Sequence, residues 1–470
     1  MTEPSAARAN LGFIGAIVAV ATIGGFLFGY DSGAINGTQE GLRTSFGLTD
    51  ATLGLTVSSL LIGCAIGSFL AGRLADVWGR RNVMMAAAAA FLVSALIAGS
   101  ASTATIFVMA RLLGGMAVGA ASVLSPAYIS EVTPASIRGR LSSVQQIMII
   151  AGLTGAFLVN YVLAHRAGVS TAPVWGHAAW RWMFWMQAIP AAVFIVALFT
   201  IPESPRFLVL KGRDGDAKRV ITKLFGGDDA MAQDKVDEIR GSLSEDHRPR
   251  FSDLIDPVRG GLRPVVWAGL MLAVFQQLVG INVIFYYGAT LWQLGGFSED
   301  QALQINIVSG ILSIAACVVT IFLIDKVGRK PLLLIGSAGM AVTLFALVFA
   351  FHSGTLDPAG KLVLGPDMGK VALVAANLYV IFFNVSWGPV MWVMLGEMFP
   401  NQYRGSALAV CGLAQWLANF AISSSFPTMA ARLGLTISYT FYGVCAVISY
   451  FLVAKLIRET RGRELEQMEG

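Results

Sequence analysis

Apolar positions in this chain come in unbroken runs of about twenty residues, too long for strands and lacking the polar stripe of a water-facing helix. Twelve runs are visible, at 12–34, 51–71, 83–100, 104–125, 142–163, 183–201, 265–290, 303–324, 331–351, 371–395, 406–426 and 434–456. A helix of about twenty apolar residues crosses the hydrocarbon core of a bilayer. Each run therefore predicts one transmembrane helix, and the fold class is an all-α membrane protein. The pattern breaks at 202–263, which holds 24 of the 61 charged residues, twelve of each sign. Within it, 214–224 and 230–239 have helical spacing, with Val220, Leu224, Val236 and Ile239 as apolar positions. This divides the chain into a six-helix half at 1–201, a linker of short helices at 202–263 that docks against the halves, and a second six-helix half at 264–470. Val279-Gly280 invites a break inside the seventh run.

Composition narrows the class. The chain is 56% hydrophobic and 13% charged, against about 25% charge in soluble domains. With alternate loops assigned to alternate sides, 26 of the 33 Lys and Arg fall on the side holding both termini, six on the other and one inside a span. A basic excess marks the cytoplasmic side, so both termini are expected in the cytoplasm of a cell whose inner membrane the chain crosses. The net charge of +5 then reflects topology and contact with anionic lipid heads, and requires no nucleic acid. Cys64, Cys317, Cys411 and Cys445 are single and intramembrane, without metal spacing. No catalytic nucleophile–base pair and no nucleotide loop is visible, so neither an enzyme nor a cofactor or metal is expected.

The polar punctuation repeats. Glu131-x-x-Pro134-x-x-x-Arg138-Gly139 returns as Glu397-x-x-Pro400-x-x-x-Arg404-Gly405. Asp76-x-x-Gly79-Arg80-Arg81 returns as Asp325-x-x-Gly328-Arg329-Lys330, and Glu203-Ser-Pro-Arg206 more weakly as Glu459-Thr-Arg-Gly462. Motifs recurring in one order in a hydrophobic chain indicate a duplicated half, the sign of an alternating-access transporter. Two readings of these charges stand. They are a solvated topogenic cluster, or a latch in which Asp76, Arg80, Arg81, Glu131, Arg138 and Glu203 face Asp325, Arg329, Glu397, Arg404 and Glu459 and hold the cytoplasmic side closed.

Inside the spans, Asp31 in the first helix and Arg111 in the fourth fall at comparable depth. A lone charge near the bilayer centre costs on the order of 2.5–3.5 kcal/mol, and opposite charges at matched depth offset much of it. The pair is either a static ion pair or a switch, in which Asp31 takes up a proton when the partners separate. The second constellation is neutral: Gln145, Gln146, Gln276, Gln277, Asn282, Asn384, Gln415 and Asn419, with Phe28, Phe285, Tyr286, Tyr287, Trp392 and Trp416. Carboxamides donate and accept toward hydroxyls, and aromatic faces cover C–H surfaces, so the set suits an uncharged, hydroxyl-rich ligand. The alternative for any one amide is that it ties helices together.

On these residues the chain resembles the sugar porter family of the major facilitator superfamily from Gly24 to Gly462. The signatures are Gly29-Tyr30-Asp31, Gly72-x-x-x-Asp76-x-x-Gly79-Arg80-Arg81, Arg111-x-x-Gly114-Gly115, Pro202-Glu-Ser-Pro-Arg206, Gln276-Gln277-x-x-Gly280-Ile-Asn282, Trp387-Gly-Pro389 and the two Glu-x-x-Pro loops. The resemblance implies twelve helices in two pseudo-symmetric halves. It also implies a monosaccharide and a proton as partners, with function as a monomer. It assigns sugar contact to Gln146, Gln276, Gln277, Asn282, Trp392, Gln415 and Asn419, and proton coupling to Asp31 with Arg111. Ser313 departs from the Asn common in the family, and Arg458 from a common Pro. Leu153 and Phe285 are similar to the residues of glucose carriers. The function expected is proton-coupled import of a hexose such as D-glucose, with a sugar uniporter or a D-xylose–proton symporter as the alternatives.

Overall fold

A computed structural model describes residues 10–226, 229–245, 251–256, 260–356, 362–400 and 403–461; the side chains of 135–143, 242–245, Phe251 and Leu356 are outside the described set. The first spans are α1 (Leu11–Asn36), followed by the short α2 (Gln39–Phe46), then α3 (Asp50–Trp78), α4 (Arg80–Ser100), α5 (Ala104–Val132) and α6 (Ala135–Ala167). A hairpin of β1 (Pro173–Val174) and β2 (His177–Ala178) leads into α7 (Ala179–Trp185) and α8 (Ala188–Leu198), which together form the sixth span. The charged stretch folds into α9 (Pro205–Leu210), α10 (Asp214–Phe225) and α11 (Asp229–Glu245). After it come α12 (Pro264–Leu278) with α13 (Ile281–Leu294), α14 (Glu299–Val327) and α15 (Arg329–His352). A second hairpin, β3 (Thr355–Leu356) and β4 (Leu362–Val363), precedes α16 (Pro366–Val385) with α17 (Trp387–Met398), and α18 (Arg404–Leu456) ends the bundle.

Among the described residues eleven helices are long and apolar enough to cross a membrane, and the last is two helices joined end to end. Its 53 residues are interrupted at Gly434, with φ 79° and ψ 167°. The expected separation of runs eleven and twelve is therefore real, although a single residue makes the turn. Several spans outrun their apolar runs. The fourth continues to Val132 and the fifth begins at Ala135, because helix persists where its polar ends leave the bilayer.

Breaks inside spans locate the polar machinery. The seventh span breaks at Gly280 with φ 83°, as Val279-Gly280 suggested. A side chain there would meet the Tyr442 ring at 2.7 Å. The tenth breaks at Ser386, with φ −129° and ψ −89°, and the bond ladder of the sixth is interrupted at Met186 and Gln187, whose dihedrals stay helical. Each stands shortly before a proline, Pro389 or Pro190, which supplies no N–H to the preceding turn.

The outer surface of the bundle stays apolar: Val342 is 71% exposed, Phe199 and Phe451 65%, as lipid contact allows. Inside, α3 and α5 cross through small residues, since a Cβ on Gly115 would lie 2.0 Å from the Leu60 carbonyl. Such close backbone approach drives helix packing in lipid. The linker helices α9–α11 bury a core of their own (Leu208, Val209, Ala217, Ile221, Ala232, Val236), with Val220 and Ile239 packed against it. The Asn10 amide donates to Leu224 O at 2.9 Å, tying α10 to the start of α1.

Helices from before and after the linker meet tightly at the end away from the termini, the distal end. Asn36 donates to Phe285 O at 2.8 Å and accepts from Ala289 N at 3.0 Å and Asn306 Nδ2 at 2.8 Å. Gln39 accepts from Thr290 Oγ1 at 2.7 Å, and Gly54 packs on the backbone of Ser424. The distal end is closed. A Cβ at Gly54 would fall 2.1 Å from Ser424 O, so Gly54→Leu should hold this end apart. With Gln39→Cys as reporter (Gln39 is 2% exposed), a membrane-impermeant maleimide should label the protein faster when Gly54→Leu is also present; equal labelling would show that the contact does not close the end.

Candidate functional site

Lipid gives polar side chains no partners, so each must be satisfied within the bundle. Arg111 on α5 donates Nη1 to Asp31 Oδ1 on α1, and both residues are 2% exposed. The guanidinium also lies 5.7 Å from the Phe184 ring centroid. The pair is not saturated: Asp31 Oδ2 and Arg111 Nε have no partner at close hydrogen-bond geometry. The Gln187 amide approaches the carboxylate as a loose side-chain donor, its Nε2 otherwise unpartnered. The break between α7 and α8 brings Gln187 there. Sequence reading passed over it, although it is the sole carboxamide in the run 183–201.

The amides of α12, α13 and α18 form one chain around the break at Gly280. Gln276 Nε2 donates to Trp387 O at 3.1 Å, while its Oε1 accepts from Gln277 at 3.1 Å and from Gln415 at 3.2 Å. Asn282 donates to Gln277 Oε1 at 2.5 Å. Gln415 Oε1 is left without a partner. Asn419 Nδ2 donates to the Tyr286 hydroxyl at 3.3 Å and its Oδ1 accepts from Ser423 at 3.0 Å. Phe28 on α1 meets Trp416 edge-on at 5.6 Å, bringing the first span to this chain.

On α6, Gln145 is buried with Oε1 unpartnered, and its amide packs on Gly25 of α1; Gln146 beside it is half-buried. Phe285 is buried and Trp392 is 40% exposed. Asn384 stands apart from the chain. It is fully buried, donating to Ser313 Oγ at 3.2 Å and to Val380 O at 2.9 Å, so its amide ties α16 to α14. Leu153 is buried at the crossing of α1 and α6, against Gly29 and Gly33.

The repeated motifs build the same network twice at the terminal end. In the first copy, Arg80 bonds Asp76 at 3.0 Å and Glu131 at 3.2 Å, and Ser204 donates to the other oxygen of Glu131. Glu203 Oε1 accepts from the backbone N–H of Arg80 at 2.9 Å and of Arg81 at 3.1 Å. In the second, Arg329 bonds Asp325 at 3.0 Å and Glu397 at 2.8 Å, and Thr460 donates to Glu397 at 2.5 Å. Glu459 accepts from the backbone of Arg329 at 3.0 Å and Lys330 at 2.9 Å. Glu203 and Glu459 thus cap the first turns of α4 and α15, where unpaired N–H groups and the helix dipole favour an anion. The echo that looked weakest in sequence is a matched pair of helix caps.

Arg81 donates to Ile201 O at 3.1 Å and Arg404 to Phe399 O at 2.9 Å; the side chain of Arg138 is outside the described set. The ion pairs of Arg80 and Arg329 each stay on their own side of the linker. The expected contact across the two groups is not among these bonds, in a conformation closed at the distal end.

Residues 17–470 match the family described as "Sugar (and other) transporter". The chain belongs to this family. It is 46% identical to a glucose transport protein of Synechocystis over 99% of both chains, and 39% identical to the D-xylose-proton symporter of Escherichia coli over 98% of this chain and 96% of that one. A solved partially occluded, inward-open conformation of the xylose transporter of E. coli superposes with a TM-score of 0.82 at 37% identity, covering 96% of this chain and 100% of that one. The protein is a multi-pass membrane transporter and not an enzyme.

Burial by itself would raise the Glu459 carboxyl, but backbone N–H groups of Arg461, Arg329, Lys330 and Thr460 hold it below the ordinary glutamate value. A depressed native value adds stability above the ordinary carboxylate range and loses it as pH falls through the native value. Glu459→Gln should therefore lower Tm at neutral pH by an amount matching a lost cap, about 1 kcal/mol. The difference from wild type should shrink in acid. A gap independent of pH would assign the loss to packing.

Proposed function

We propose that this transporter imports a monosaccharide together with a proton, and that the sugar is a hexose such as D-glucose. The observation carrying this reading is the buried, incompletely satisfied Asp31–Arg111 pair in a bundle whose other central polar groups are neutral carboxamides. The spare acceptors of Gln415 and Gln145 suit sugar hydroxyls, which can donate to them. Gln146, Gln276, Gln277, Asn282 and Asn419 join them as sugar contacts, with Phe28, Phe285 and Trp392 against the ring. The names of the relatives, a glucose transport protein and a D-xylose-proton symporter, support the same substrate class.

In this mechanism 1–201 and 264–470 rock about the central site, the linker 202–263 joins them, and the network of Arg80, Glu131, Arg329 and Glu397 rearranges as the terminal end opens and closes. Asp31 is ionised while Arg111 holds it and takes a proton when the pair loosens. Because sugar and proton affinities are linked, each promotes binding of the other. Both termini lie in the cytoplasm, as the basic excess supports, and the protein works as a monomer in the inner membrane among anionic lipids. The alternatives are sugar uniport and symport of D-xylose, the sugar named for the 39% identical relative.

Sugar added to proteoliposomes in weakly buffered medium should alkalinise the medium under symport; sugar entry without that signal would favour uniport. Asp31→Asn should abolish uphill accumulation and retain sugar exchange, whereas full accumulation by the variant would remove the coupling role. Gln277→Ala should weaken sugar binding by about 1–3 kcal/mol, the cost of a buried donor or acceptor left unpaired. Calorimetry giving wild-type affinity would place the sugar elsewhere. Uptake competition among hexoses and pentoses identifies the substrate.

A further inference from the structure

The hairpin between α6 and α7 turns through two residues, Trp175 with φ 49° and Gly176 with φ 85°, and pairs Val174 with His177. A two-residue turn with both φ positive is normally made by Asn, Asp or Gly. Trp175 is the one non-glycine residue with positive φ among the described residues, and a bulky side chain rarely adopts that conformation. Little of the indole is buried in return: Trp175 is 62% exposed. Strain spent on an exposed aromatic points to a contact outside the protein.

The surroundings indicate which one. Trp175 meets Trp182 edge-on at 5.3 Å, Trp182 meets Trp185 at 5.0 Å, and His177 meets Trp185 at 5.1 Å. This row descends from the loop into the sixth span. Below Trp185, at helical spacing, Ile189, Val193 and Val196 are 57%, 54% and 67% exposed, an apolar strip suited only to lipid. Trp182 Nε1 is spent on Val174 O at 2.8 Å, which fixes the hairpin to the span. At the top, the Arg166 guanidinium lies 5.5 Å from the Trp175 ring on an exposed residue. Indoles above a lipid-facing strip with a cation at their upper end match the order of a membrane surface: acyl chains, interface, phosphate. The second hairpin, at 355–363, has no aromatic residue, so the feature is not a general property of the repeat.

We propose that Trp175, Trp182 and Trp185, with Arg166, form a docking site for phospholipid headgroups at the distal membrane surface, with Arg166 facing the phosphate. The hairpin is thereby held at the interface. The full-length protein in proteoliposomes provides the test, because its four native cysteines are buried. Trp175→Cys and, separately, Thr355→Cys, at an exposed position of the second hairpin, are labelled with an environment-sensitive fluorophore. Lipids spin-labelled at the headgroup should quench the probe at 175 at least about twofold more than that at 355, and aqueous iodide should do the reverse, as expected of an interfacial position. In vesicles containing phosphatidylglycerol the wild-type tryptophan emission should shift to the blue relative to phosphatidylcholine, and Arg166→Gln should lose that shift. Iodide quenching at 175 equal to that at 355 would mean a water-facing or protein-facing surface and overturn the proposal, as would a wild-type emission indifferent to headgroup charge.

Discussion

A charge in hydrocarbon must be answered by another, and in this bundle one guanidinium answers one carboxylate. The cost of leaving either alone is several kcal/mol, so the position of Arg111 constrains that of α5 against α1. The contact is incomplete on both sides, with Asp31 Oδ2 and Arg111 Nε unsatisfied and Gln187 beside them. The amides show a similar economy. Gln276, Gln277, Asn282 and Gln415 bond one another, with Gln415 Oε1 left over.

Polar chemistry and broken helices coincide. Gly280 interrupts the seventh span where Gln277 and Asn282 meet, Ser386 interrupts the tenth beside Trp387, whose carbonyl Gln276 uses, and the sixth breaks at Gln187. A break frees backbone groups that must find partners, and side-chain amides supply them. These are also the places where a helix can bend at least cost. The terminal end works by the opposite rule. Glu203 and Glu459 cap helix starts while Arg80 and Arg329 collect the carboxylates around them, making two networks of one design.

Much of this was legible beforehand. Unbroken apolar runs identify spans because lipid demands them, and the duplicated charges mark the helix ends they cap. Asp31 and Arg111 stand out because nothing else ionisable shares their depth. Other features were not legible. Gln187 passed unremarked because one amide in an apolar run looks like helix glue, and the bond of Asn384 to Ser313 joins residues that no local pattern pairs. The break at Ser386 falls before Gly388-Pro389 and not at the glycine itself. Cross-linker partners such as Asn36 with Phe285 depend on residues about 250 positions apart, which no local pattern encodes.

By itself the sequence determined the number of crossings, their all-helical character, the duplication, and the scarcity of buried charge, because each follows from the cost of putting a polar group in lipid. Tertiary structure alone decided which polar groups face one another. It alone set which end of the bundle is closed, and which amides keep an unspent acceptor. The reason is physical: hydrophobic burial is set by each segment's own composition, whereas a hydrogen bond needs a partner whose distance and direction exist only after the helices have packed.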